Sequence, residues 1–238
     1  MSFRSKSSNF TAASGMRTIT APAGIVDGDI LIAWAISDSS STTITWPTGF
    51  DSANAITVTN TAGEIGRLMI ALKIANGESG NYSLTASTAV ICGMVVHSGR
   101  SASTVPHRQS TGVGTGATRP WTPTTGVFAS NTSQECDILL FVLDDITSSS
   151  ETVSRTPPSG FTIRDQTTGT SFFQGSVASK DLAAAGETGA YAQTDTSSGS
   201  ATSGWGAIAI ALATASATGK GPPRIPNITR IHTRPRYR

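Results

Sequence analysis

Charge is what this chain is shortest of. Asp, Glu, Lys and Arg make up 13% of its 238 residues, against roughly 25% in an average globular protein. A surface so thin in like charge has little colloidal repulsion. It suits a subunit covered by neighbours better than a free monomer. Cysteine is scarce too, with Cys92 and Cys136 alone present. Two cysteines make neither a disulfide framework nor a metal set. Each lies in or beside an apolar run, so both read as buried thiols. The histidines, His97, His107 and His232, are scattered, and no His-x-x-x-His or Cys-x-x-Cys spacing occurs, which excludes the common zinc motifs. No apolar run approaches the ~18 residues of a membrane span. No apolar stretch follows Met1-Ser-Phe-Arg-Ser-Lys6, so a soluble protein without a secretory signal is expected. No segment holds a helical period between capping signals for long enough to argue a helix.

What the chain has instead is a repeat. Gly28-Asp-Ile-Leu-Ile-Ala-Trp-Ala-Ile-Ser-Asp38 returns as Cys136-Asp-Ile-Leu-Leu-Phe-Val-Leu-Asp-Asp145. A Ser/Thr-rich loop follows each copy, and then a Pro-x-Gly-Phe turn, Pro47–Phe50 and Pro158–Phe161. Further matches keep the same order. Arg67–Ala75 with Glu78 answers Gln174–Leu182 with Glu187, Tyr82 answers Tyr191, and Ala89–Val96 answers Gly204–Leu212. Such ordered correspondence indicates a duplicated block of strands.

The runs Ile30–Ile36 and Asp137–Leu143 are almost wholly apolar and short, as strands covered on both faces are. Thr42–Trp46, Ala55–Thr59 and Arg67–Ile74 alternate, as half-buried strands do. Gly, Asp, Asn and Pro mark the turns between them. The expectation is an all-β protein, a two-sheet β-sandwich of jelly-roll type. Two half-blocks, about 17–100 and 122–213, would share one core with pseudo-twofold character, because either alone would leave an apolar face bare. Residues 1–16 read as a flexible or partner-ordered arm, and 101–121 as a polar connector.

Little in the chain points to chemistry. Gly112-Val-Gly-Thr-Gly116 lies in the polar connector, not between a strand and a helix, and reads as linker rather than dinucleotide fingerprint. Asp144-Asp145 could contribute to a calcium site, but a solvated strand terminus is the simpler reading. Asp29 and Asp137 open the two central strands and read as turn carboxylates. Lys73–Glu78 and Lys180–Glu187 read as hairpin ends. No Gly-x-Ser-x-Gly elbow is accompanied by a placed His and Asp. No enzyme activity, cofactor or metal is expected.

The last stretch differs in kind. Residues 219–238 hold six of the seventeen basic residues and no acid, which leaves the rest of the chain at −4. Four prolines there forbid a helix and favour an extended backbone. Ile225, Ile228 and Ile231 recur at a spacing of three, which aligns them on one side of such a backbone. Together with Arg224, Arg230, Arg234, Arg236, Tyr237 and Arg238 they read as an arm, 214–238, that lies along a partner. A phosphate backbone would need the cations but not the isoleucines. A protein partner is therefore favoured over nucleic acid.

The Pro22-Ala-Gly24 turn, Gly28–Ala33, the two Pro-x-Gly-Phe turns and the Gly/Ala-rich closing strand Trp205–Leu212 carry a resemblance. Over about residues 17–213 the pattern resembles a β-sandwich domain of tailed-bacteriophage virion structural proteins. The resemblance implies a viral structural protein located in the virion, oligomeric, with other virion proteins as partners, either the major capsid protein or tail proteins. On that footing the expected role is capsid decoration or cementing. The alternative is a tail or fibre component that recognises host-surface glycan through loop aromatics such as Trp46 and Trp121. The glycan reading requires those aromatics on an exposed rim. The cement reading requires them packed.

Overall fold

An apolar run bounded by Asp-Gly and Ser-rich turns has its backbone groups satisfied only if strands pair with it on both sides. A computed structural model of the protein places Ile30–Ser37 in that position, with every side chain buried. The structure describes residues 2–60, 62–98, 108–116, 120–127, 135–167, 172–182, 189–199 and 203–213. Thirteen strands run through them: β1 Phe3–Ile19, β2 Ile30–Ser37, β3 Ile44–Thr45, β4 Asp51–Thr59, β5 Ile65–Ile74, β6 Tyr82–His97, β7 Arg108–Gly116, β8 Glu135–Ile146, β9 Val153–Thr156, β10 Thr162–Gln166, β11 Phe173–Asp181, β12 Thr194–Ser197 and β13 Ser203–Ala213. No helix occurs among the described residues.

The strands form two large antiparallel sheets packed face to face, a β-sandwich. One has the order β1-β6-β2-β5-β4 and the other β7-β13-β8-β11-β10. The orders match strand for strand, so each half of the chain supplies one whole sheet, with most of β1 and all of β7 lying outside the half-blocks read from the sequence. Even a β-bulge repeats, between Ser52 and Asn54 on β4 and between Ile163 and Asp165 on β10. Across the sandwich β1 lies over β10 and β4 over β7, while β2 lies over β11 and β5 over β8. That arrangement is a pseudo-twofold.

Register shows where the sequence repeat is out of step by one residue. Lys73 pairs with Leu31, and its counterpart Lys180 pairs with Ile138. The equivalent of Ile138 is thus Leu31, not Ile30, and Asp137 takes the place of Ile30. A one-residue slip exchanges the two faces of a strand. Ile30, Ile32, Trp34 and Ile36 accordingly meet Leu139, Phe141 and Leu143 in the shared core, whereas Ile138, Leu140 and Val142 face outward.

The outward faces are covered as well. The first part of β6 pairs with Gly15–Ile19 of β1 and with β3, and these strands pack over the outer face of the first sheet around Leu31, Met69, Tyr82 and Leu84. In the second half the β9–β12 pair and the bridge from Trp121 to Asp195 hold the matching position. The corners repeat closely. Phe50 N donates to Pro47 O at 3.1 Å and Phe161 N to Pro158 O at 3.0 Å. Gly49 and Gly160 take φ of +84° and +81°, a region that side chains disfavour. Phe50 then meets Tyr82, with centroids 5.8 Å apart, and Phe161 meets Tyr191 at 5.0 Å.

Two segments differ from the sequence reading. Residues 1–16, expected to be a flexible or partner-ordered arm, instead contribute from Phe3 onward to one long strand, Phe3–Ile19, on the edge of the first sheet. The Gly-rich part of the connector is strand β7. A Cβ on Gly112 would run into the Thr124 carbonyl, and one on Gly114 into the Trp205 ring. These glycines allow close approach rather than flexibility.

Candidate functional site

The arm residues Arg224, Ile225, Ile228, Arg230, Ile231, Arg234, Arg236, Tyr237 and Arg238 lie outside the described residues. So do Glu187 and His107. What the sandwich body offers is a cleft on the first half. It opens where the short β3 covers the outer face only partly and the β4 edge runs beside it, and it encloses about 410 Å³. Met69 lies at its floor, Ile44 and Trp46 form one wall, and Ser52, Asn54 and Arg67 the rim. Pro47 follows Trp46 and begins the turn into Phe50, which holds the indole half-buried against the outer core. Arg67 Nη1 donates to Thr42 O at 2.6 Å and to Ser40 O at 3.2 Å, fixing the loop before β3. Asn54 Nδ2 donates to Gln109 Oε1 at 3.1 Å across the seam. Trp46, Ser52 and Arg67 come from three separate elements, the turn after β3, β4 and β5. An unbroken alternating strand gives no hint of the bulge that sets Ser52 on the outer face and Asn54 on the inner one.

The corresponding region of the second half is a sealed polar network. Trp121 is 2% exposed and donates its Nε1–H to Asp144 Oδ1 at 2.8 Å. Arg155 Nη2 meets Asp144 Oδ2 at 3.2 Å with both side chains fully buried. Gln193 Nε2 donates to both oxygens of Asp195 and to Ser176 Oγ. Burial, and then the nearby Asp144 charge, hold the Asp195 carboxyl well above the usual carboxylate range. Asp144-Asp145 is therefore no solvated strand end, because the two residues are 0% and 2% exposed. Of the two aromatics named for glycan contact, Trp121 is packed away and Trp46 lines an open cleft.

The seam between the halves carries two more polar features. His97 Nδ1 lies 2.8 Å from Asp137 Oδ2, both side chains fully buried. Asp29 does act as a turn carboxylate, accepting from Val26 N at 2.9 Å. Asp137 does not, since it sits inside β8 and faces the other sheet. At the other end Asp38, Glu64 and Asp145 border a cavity of about 210 Å³ with Phe172. Burial, reinforced by Glu64 and then Asp38, pushes Asp145 up to about 7. Among the described residues no group of His, Cys, Asp and Glu is arranged to hold a metal ion, and no helix is long and apolar enough to cross a membrane. Lys73 pairs with Glu78 at 2.8 Å, as the hairpin reading expects. Cys92 is a buried free thiol.

Comparison with protein-family models, curated proteins and solved structures finds no match for this chain.

Proposed function

We propose that the protein is a non-enzymatic structural subunit of a tailed-phage virion, a decoration or cement protein of the capsid that docks through strand edges and its basic arm. One observation carries this reading. Among the described residues the seventeen-residue β1 pairs on one side only, and its three cations are tied back, Arg4 to Asp29 at 2.7 Å, Lys6 to Asp165 at 2.6 Å and Arg17 to Asn9 Oδ1 and Thr11 O. Native proteins keep lone edges apart with outward charge. An edge left without that guard favours association, and many weak contacts repeated by symmetry add up to firm attachment. The low charge content and the sequence resemblance point the same way.

The second reading, a tail or fibre component that recognises glycan, is favoured by Trp46 in its open cleft. Capsids stripped of the protein separate the two. The intact chain should rebind, and a chain truncated after Ala213 should rebind more weakly. Equal rebinding by both would move the docking surface from the arm to the body. Rebinding by neither would overturn the cement reading.

A further inference from the structure

The duplication supplies an internal control for the cleft. Register places Pro157 at the position of Trp46, immediately before the same Pro-x-Gly-Phe corner. The second half thus makes that corner with proline. Gln174 stands where Arg67 does, and its amide donates to Glu151 O at 2.8 Å. That bond is the counterpart of the one from Arg67 to Ser40 O. A neutral amide is therefore enough to tether the loop. The second half thus makes the corner without an indole and tethers the loop from this position without a guanidinium, and in the first half both groups line one cleft.

The chemistry they offer is specific. A sugar ring has a C–H face that stacks on an indole and an edge of hydroxyls that bond amides and alcohols. Trp46 supplies the first, and Ser52 and the exposed Thr43 the second. No acidic side chain lines the cleft. Arg67 bonds the backbone carbonyls of Ser40 and Thr42 and no carboxylate among the described residues, so its charge is left for a ligand. We infer that this cleft binds an acidic oligosaccharide, with Trp46 as the stacking platform and Arg67 facing a sugar carboxylate. The inference rests on the second reading of function and is independent of how the body docks on a shell.

The test uses variants borrowed from the other half. The full chain, Trp46→Pro and Arg67→Gln are each titrated with an oligogalacturonate and with neutral maltohexaose, by calorimetry and tryptophan emission. Thermal unfolding confirms that both variants fold. The intact chain should bind the acidic sugar more tightly than the neutral one. Trp46→Pro should weaken both by about tenfold, the scale of one aromatic contact. Arg67→Gln should bring the acidic sugar down to the affinity of the neutral one. Absence of binding by the intact chain, or unchanged binding in both variants, would overturn the inference. Trp46-dependent binding of an acidic peptide of equal charge, with neither sugar bound, would overturn it in favour of a protein ligand. Because capsid rebinding is read separately, failure here leaves the cement reading standing, and failure there does not touch the cleft.

Discussion

The two halves share strand order, bulge and corner, yet their polar groups are placed differently. In the first half the outer core is apolar, built on Met69, Leu84 and Ala86. In the second, the same positions hold Ser176, Gln193 and Asp195, joined into the network of Trp121, Asp144 and Arg155. The seam is equally uneven. Lys6 faces Asp165, while at the twofold-related place Gln109 faces Asn54. His97 faces Asp137, while the related pair, Leu212 and Ile30, belongs to the shared apolar core. Pairing either sheet with a copy of itself would set a buried His97 against Ile30, or a buried Asp137 against Leu212. Buried polar groups without partners are costly. The unlike pairs thus favour the sandwich of first half with second, which the apolar faces alone would not distinguish.

That comparison can be broken in graded steps. The largest effect should come from Phe141→Ala, since Phe141 is 1% exposed in the core that both halves share. A loss of about 3–5 kcal/mol is expected in denaturant unfolding, with both halves weakened together. Next is the acidic end of the seam. The folded-state pKa of Asp145, about 7, lies above the roughly 3.9 of an unfolded Asp. Its proton therefore stabilises the fold fully below about pH 4, and that contribution, up to about 4 kcal/mol, disappears as the pH rises to about 7. Asp145→Asn should unfold like the parent at pH 4 and be the more stable of the two at pH 8. Equal pH slopes for both would refute this.

Asp137→Ile alone should cost about 3 kcal/mol, because it strands His97 in the interior. Adding His97→Leu copies the twofold-related pair and should recover most of the loss. A double-mutant cycle measures the recovery directly. The smallest effect belongs to Lys6→Gln with Asp165→Asn, which copies Gln109 and Asn54. Together they should shift stability by less than about 1 kcal/mol, the scale of a partly exposed ion pair.

Much of this was legible in the residues and some was not, for physical reasons. Ile30–Ile36 and Asp137–Leu143 announce central strands because burial on both faces leaves no polar position. The Pro-x-Gly-Phe corners announce themselves because a positive φ limits the choice of residue. β1 and β7 did not. An edge strand needs few apolar side chains, so Ser5–Asn9 and Gln109–Gly116 look like arm and linker. The register slip was hidden too, since Asp-Ile-Leu occurs in both copies and the pairing partners that decide the face lie far along the chain. The same distance hid His97–Asp137 and the cleft, whose members come together only across strands. The arm at 214–238 was the most explicit site in the sequence and lies outside the described residues.

The central claim is that two duplicated sheets make one cooperative body through one core. Calorimetric unfolding combined with hydrogen exchange tests it most directly. A single transition, with calorimetric and van't Hoff enthalpies equal and the amides of β2 and β8 opening with the same free energy, is the predicted result. Two transitions, or β8 opening well before β2, would contradict it and make the halves separate domains that merely touch.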